Sequence, residues 1–111
     1  MIFSKQGNTT VITQESVSLV TFLKRLTESY QKIKNDNLII NLFSLNALTA
    51  NDLLEFLNLS NEHKKTKKSF VIVTDKVKYD EIPEELEVVP KLQEAFDIIE
   101  MEEIERDLDF D

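Results

Sequence analysis

Two short and almost wholly apolar runs constrain the fold of this chain more than any other feature. Residues 38–43 read LIINLF and residues 70–73 read FVIV, and each run is too short to form a helix. Strands that are covered on both faces have this composition, whereas strands with one wet face alternate apolar and polar residues. The two runs therefore predict buried strands of a sheet that has helices packed on it.

The first third of the chain predicts a β-hairpin followed by an amphipathic helix. Residues 2–6 and 9–14 are rich in Thr, Val and Ile, and a Gly-Asn turn pair separates them. Ser16 is a predicted N-cap, and apolar residues recur after it at three- and four-residue intervals up to Ile33. We therefore expect a first helix between the hairpin and the first apolar run.

The remainder of the chain predicts two more helices and a short strand. Thr49, with Asp52 three positions later, resembles a capping box, which predicts a second helix that ends near His63. Residues 86–89 predict a last short strand. A proline in the first turn then predicts a final helix over residues 90–108.

The order of these elements defines a fold class. Strands that alternate with helices imply parallel strands joined by right-handed crossovers. A length of 111 residues suits one domain. We therefore predict a single α/β domain over residues 1–111, with a mixed, mostly parallel sheet, an N-terminal β-hairpin and about three helices packed on the sheet.

Residue types that carry much of protein chemistry are scarce in this chain. It has no cysteine, and its one glycine, Gly7, excludes a Gly-rich phosphate loop. The one histidine, His63, lies near the predicted end of a helix beside two lysines, so we expect a surface or C-capping histidine. The acidic last helix lacks the ligand loop that binds calcium. We predict no catalytic residue, no metal site and no cofactor.

Charge is distributed unevenly along the chain. Residues 1–79 contain eleven Lys/Arg and seven Asp/Glu, whereas residues 80–111 contain two and fourteen. The acidic part favours a basic partner or simply a well-solvated helix, on which Glu102 and Arg106 form a predicted i,i+4 ion pair. The basic cluster 64–68 lacks the interleaved aromatic residues that single-stranded nucleic acids stack on. We therefore expect a protein partner rather than a nucleic acid.

The sequence also predicts the cellular compartment of the protein. Its first residues show no charged segment followed by a long apolar run, which a secretory signal would need. The longest apolar stretches are five to six residues, against the roughly 20 needed to span a bilayer. We expect a cytoplasmic protein that does not bind a membrane.

Three segments resemble the STAS domain, the family of bacterial anti-sigma-factor antagonists and transporter tails. Residues 38–42 resemble the central strand of that family, residues 47–54 its strand-to-helix loop, and residues 88–95 its closing strand and last helix. The resemblance covers nearly the whole chain. It implies a STAS-like protein-interaction or regulatory domain whose partner-facing edge comprises Asn46, Thr49, Ala50, Asn51 and Asp52. The same polar residues are also explained if they only close a loop and cap a helix.

This loop departs from the family pattern at the phosphorylation site. In family members that switch a sigma-factor pathway the loop reads Asp-Ser-Ser-Gly, and its first serine is phosphorylated. The matching residues here are Thr49, Ala50, Asn51 and Asp52, and Ala50 has no hydroxyl that could accept a phosphoryl group. The resemblance therefore implies a STAS-like scaffold without the phosphorylatable serine.

The C-terminal segment suggests an alternative function. Residues 92–108 are similar to short uncharacterised bacterial proteins that are associated with ribonuclease Z. A nuclease of that type needs several His and Asp ligands around two zinc ions, and this chain has one histidine. The chain cannot be that nuclease, but it can be an accessory partner of such an RNA-processing enzyme.

Overall fold

The computed structural model describes residues 1–15 and 17–109, leaving aside the side chain of Asp109. The described residues form five strands and four α-helices. The strands are β1 (Ile2–Gln6), β2 (Thr9–Thr13), β3 (Asn37–Asn41), β4 (Phe70–Val73) and β5 (Glu87–Val89). The helices are α1 (Leu19–Ile33), α2 (Ala50–Leu54), α3 (Leu57–Lys64) and α4 (Leu92–Asp109), with a 3₁₀ turn at Tyr79–Glu81.

The five strands form one mixed sheet in chain order, β1-β2-β3-β4-β5. β1 and β2 pair antiparallel through a turn in which Gly7 has a φ of 62°, and the other neighbours are parallel. Glycine suits this turn because it adopts positive φ without a steric penalty. The predicted α/β class, the N-terminal hairpin and the mostly parallel sheet are confirmed.

Strand order decides which helices share a face of the sheet. Because β2 to β5 follow one another in one direction, right-handed crossovers must all lie on the same side. The buried cluster on that side joins Ile40 and Ile72 of the sheet to Phe22 of α1, Phe56 of the α2–α3 segment and Leu86 before β5. We call this side the crossover face.

The other side of the sheet is covered by the last helix. Its buried cluster joins Val11, Ile39 and Val71 of the sheet to Ala95 and Ile99 of α4. The register pairs Val11 with Ile39 and Ile39 with Val71, so these side chains stand in one row across three strands. We call this side the α4 face.

The predicted second helix is broken into two, so the helix count is four. α2 ends at Leu54 and α3 begins at Leu57, with Glu55 and Phe56 between them. The amide of Phe56 bonds to the Leu53 carbonyl at 3.0 Å, three residues back, which tightens the turn. The break places the Phe56 ring fully inside the core, with its centroid 6.3 Å from that of Phe22.

The first helix begins later than expected. The hydroxyl of Ser18 accepts a hydrogen bond from the amide of Thr21 at 3.2 Å, so Ser18 is the N-cap of α1. Ser16, the predicted N-cap, lies outside the described residues.

Candidate functional site

The start of α2 has the predicted capping box. The hydroxyl of Thr49 accepts a hydrogen bond from the amide of Asp52 at 3.2 Å, and the Asp52 carboxylate accepts one from the amide of Thr49 at 2.9 Å. These reciprocal bonds satisfy two amides that the first turn of a helix leaves without partners. The cap therefore orders the loop between β3 and α2.

The structure places the predicted partner-binding residues at one end of the sheet. Asn46, Thr49 and Asn51 are exposed, whereas Ala50 and Asp52 are half-buried. The loop is held from below by Leu48, which is buried in the crossover-face core. The loop thus presents three exposed polar side chains on an ordered support.

One exposed aromatic residue lies beside this loop. The apolar run 38–43 predicts Phe43 in a buried strand, and this is wrong: β3 ends at Asn41 and the Phe43 side chain is 51% exposed. The Asn41 side-chain oxygen accepts a hydrogen bond from the amide of Phe43 at 3.1 Å, which turns the chain out of the strand. Leu42 then points into the core and Phe43 lies outside it.

A groove of about 600 Å³ runs between α1 and α2. Its apolar floor comes from α1, where Val20 is 81% exposed, and the predicted site residue Asp52 lies on its rim. The lining residues are Leu19, Val20, Leu23, Lys24, Thr27, Glu28, Asp52 and Glu55. Of the five predicted partner-binding residues, Asp52 is the one that the structure brings to this groove.

A second groove of about 380 Å³ continues the first along α1. Both are lined by Leu23, Thr27 and Glu55, and the second ends at Tyr30 and Glu62. From Leu19 to Tyr30 the combined groove extends about 16 Å at the rise of an α-helix. This length matches about three turns of a bound helix.

The rim of the combined groove is acidic. Three lining carboxylates, those of Glu28, Asp52 and Glu55, outnumber the single lining cation, Lys24. A fourth lining carboxylate, that of Glu62, pairs with Lys65 at 3.2 Å. An apolar floor with an excess of negative charge favours a ligand that is apolar on one side and basic along its edges.

His63 is buried, so its predicted position on the surface is wrong. Its Nδ1 lies 2.7 Å from the Tyr30 hydroxyl, and its Nε2 lies 2.8 Å from the Asp36 carbonyl oxygen. A carbonyl oxygen only accepts, so Nε2 carries the ring proton and Nδ1 accepts a hydrogen bond from Tyr30. The sequence contains one signal for this position: Phe56, Ser60 and His63 recur at helical spacing, which places His63 on the same side of the helix as an aromatic residue.

The surroundings of His63 keep its imidazole neutral. Burial lowers the pKa of His63 below its ordinary value of 6.5, and Lys68 lowers it further. The hydrogen bond to the Asp36 carbonyl opposes this shift, as does the Asp36 charge. Both ring nitrogens already have partners, so His63 links α1, α3 and the start of β3 as a structural group.

The far end of the sheet carries a second polar network. Arg106 donates to the Ser69 hydroxyl at 3.1 Å and to the Asn37 side-chain oxygen at 3.3 Å. Glu103 accepts hydrogen bonds from the side-chain amides of Asn37, at 3.2 Å, and Asn8. The Glu102–Arg106 ion pair predicted from spacing is wrong for the described residues, because Arg106 turns towards the sheet.

The described residues contain no group of three or more His, Cys, Asp or Glu side chains that could hold a metal ion. None of the described helices is long and apolar enough to span a bilayer.

No protein-family model matches this chain, and no curated protein is significantly similar to it in sequence. The resemblance to the STAS domain stays a prediction that depends on the three segments named above.

Proposed function

We propose that this domain is a non-catalytic, STAS-like interaction module that docks a cytoplasmic protein partner. The partner binds in the groove between α1 and α2 and against the loop Asn46–Asp52. The observation that carries the proposal is the position of Asp52, which joins the predicted partner-facing loop to an apolar groove with an acidic rim.

Two exposed apolar side chains support a protein ligand at this end of the molecule. Val20 lines the groove and is 81% exposed, and Phe43 follows β3 and is 51% exposed. Apolar anchors surrounded by polar residues are typical of the centre of a protein interface. The acidic rim further specifies a partner segment with Lys or Arg beside its apolar residues.

The binding is proposed to be independent of phosphorylation at the loop. Ala50 occupies the position of the phosphorylated serine in the STAS resemblance and has no hydroxyl. The Thr49 hydroxyl already accepts a hydrogen bond from the Asp52 amide, and a phosphate on that hydroxyl would lie beside the Asp52 carboxylate. The two negative groups would repel each other, so the cap disfavours phosphorylation of Thr49.

The experiment is affinity capture from the source cell with charge and anchor variants. Val20→Asp and Glu55→Lys change the groove without touching the capping box, whereas Asp52→Lys would also break the cap. Glu84→Lys, an exposed change before β5, is the matched control. We expect a protein that is enriched on the wild-type domain and on Glu84→Lys but lost on both groove variants.

Two outcomes would contradict the proposal. A partner that all three variants retain equally would show that the groove is not the docking site. Failure to enrich any protein over a tag-only control would contradict the proposal that the domain is an interaction module. An RNA-processing nuclease as the groove-dependent partner would instead support the accessory function.

A further inference from the structure

The outer side of α4 carries three large apolar residues that face solvent. Met101 is 61% exposed, Ile104 is 54% exposed and Leu108 is 69% exposed. They are spaced three and four residues apart, so they lie on one side of the helix. We call them the α4 stripe.

The helix cannot turn this stripe inwards. Its inner side packs Ala95 and Ile99 into the α4-face core. Further along, Glu103 bonds to Asn37 and Arg106 bonds to Ser69, so the inner side stays attached to the sheet beyond the apolar contacts. The stripe is therefore a permanent surface feature.

The spacing of the stripe is that of the contact positions in a coiled coil. Apolar residues separated by three and then four positions form a seam that packs against a second helix. The positions beside the seam decide the partner, and here Glu100, Glu105 and Asp107 are all exposed and acidic. Charges at these flanking positions set which helices pair.

The acidic flanks argue against pairing between two copies of this chain. In a parallel or an antiparallel arrangement, Glu100, Glu105 and Asp107 would face the same acidic residues of the other copy. Like charges across such a seam are destabilising, whereas Lys or Arg at the partner's flanking positions would be attracted.

We propose that the α4 stripe is a second docking surface, which binds an amphipathic helix of another protein with basic residues beside its apolar seam. The stripe lies on the α4 face and the groove lies on the crossover face, so the two sites can be occupied together. The domain would then act as an adaptor between two proteins.

The probe is a pair of designed helical peptides. Each has about three heptads with Ile and Leu along the seam, and the flanking positions are Lys in one peptide and Glu in the other. Fluorescence anisotropy measures their affinity for the complete protein. We expect the Lys peptide to bind and the Glu peptide not to bind.

Variants locate the binding. Ile104→Asp should weaken the Lys peptide by about tenfold or more, as expected for a central apolar anchor. The groove also favours an apolar helix with basic edges, so these titrations are made in the Val20→Asp background, where Leu54→Asp, at another exposed leucine, should leave the affinity unchanged. Circular dichroism melting curves confirm that each variant is folded.

Charge reversal provides the sharpest test. In the triple variant Glu100→Lys, Glu105→Lys, Asp107→Lys the preference should switch to the Glu peptide. Absence of binding, equal binding of both peptides, or binding that Ile104→Asp does not weaken would overturn the proposal. So would self-association of the wild-type protein in sedimentation that Ile104→Asp abolishes, because a second copy would then cover the stripe.

Discussion

The two faces of the sheet bury their helices by different means. The crossover face packs three phenylalanines, Phe22, Phe56 and Phe70, with leucines and isoleucines from several segments. The buried residues of the α4 face are valines, isoleucines and one alanine, and they pack between the sheet and a single helix. The chirality of the crossovers is the cause, because it assigns every internal connection to one side and leaves the other side to the terminal helix.

The α4 face adds hydrogen bonds to its apolar contacts. Glu103 and Arg106 reach from α4 to Asn37 and Ser69, which lie at the starts of β3 and β4. These contacts attach the part of α4 that extends beyond the apolar cluster. The comparison implies that most of the stability lies on the crossover face and that α4 is fastened partly by hydrogen bonds.

The largest expected effect is a deletion in the crossover-face core. Phe56→Ala should lower the free energy of unfolding by about 3–5 kcal/mol, since a fully buried ring would leave a cavity beside Phe22. Urea denaturation measures the change. Phe43→Ala removes the same side chain from an exposed position and should change stability by less than about 1 kcal/mol.

A deletion on the α4 face tests the other side of the comparison. Ile99→Ala should cost about 2 kcal/mol, at the low end for a buried isoleucine, because the α4-face cluster is smaller than the crossover-face cluster. Ile104→Ala, in the same helix but 54% exposed, is the control and should be nearly neutral. If Ile99→Ala destabilised as much as Phe56→Ala, the two faces would be equivalent.

The polar attachment of α4 should have a smaller effect. Glu103→Ala leaves the amide of the fully buried Asn37 without its carboxylate acceptor and should cost about 1–2 kcal/mol. Hydrogen exchange should speed up in the second half of α4. Glu100→Ala, an exposed change one turn earlier, should alter neither quantity. Equal effects of the two variants would mean that the network contributes nothing.

The smallest expected effect is a pH dependence of opposite sign on the two faces. Folding lowers the pKa of His63 below 6.5, so the folded protein binds fewer protons there and loses stability as the pH falls below about 6.5. Burial raises the pKa of Glu87 on the α4 face above 4.5, and Glu102 raises it further while Lys64 opposes this. Stability from Glu87 is therefore lost as the pH rises through its folded pKa.

Urea denaturation between pH 4.5 and 8 separates the two groups. His63→Gln keeps a donor for the Asp36 carbonyl and should flatten the acidic side of the stability profile. Glu87→Gln should remove the loss that appears as the pH rises. An unchanged acidic limb in His63→Gln would show that burial does not hold the imidazole of His63 neutral.

Much of the local structure could be predicted because its causes are local. The hairpin, the apolar strands and the capping box of Thr49 and Asp52 depend on residues within a few positions of one another. The resemblance predicts the loop Asn46–Asp52 as a partner-facing edge, and this stays a prediction. The groove beside the loop could not be predicted, because it requires that α1 and α2 be neighbours.

The errors have one physical origin. His63 and Phe43 were each assigned from their neighbours in the chain, but their burial depends on distant groups or on a turn at the end of a strand. The helix breaks at Phe56, whose ring packs beside Phe22 of α1, and the spacing of apolar residues within one helix does not predict that contact. Arg106 bonds to Ser69 and Asn37, which are far away in the chain, and not to Glu102 one turn earlier in the same helix.

By itself, the sequence determined the kinds of element and their order, because periodicity and capping act at short range. Only the tertiary structure decided which face each helix covers, that His63 is enclosed and that the α4 stripe remains outside. Those outcomes depend on strand pairing and crossover handedness, which bring together residues that are far apart in the chain.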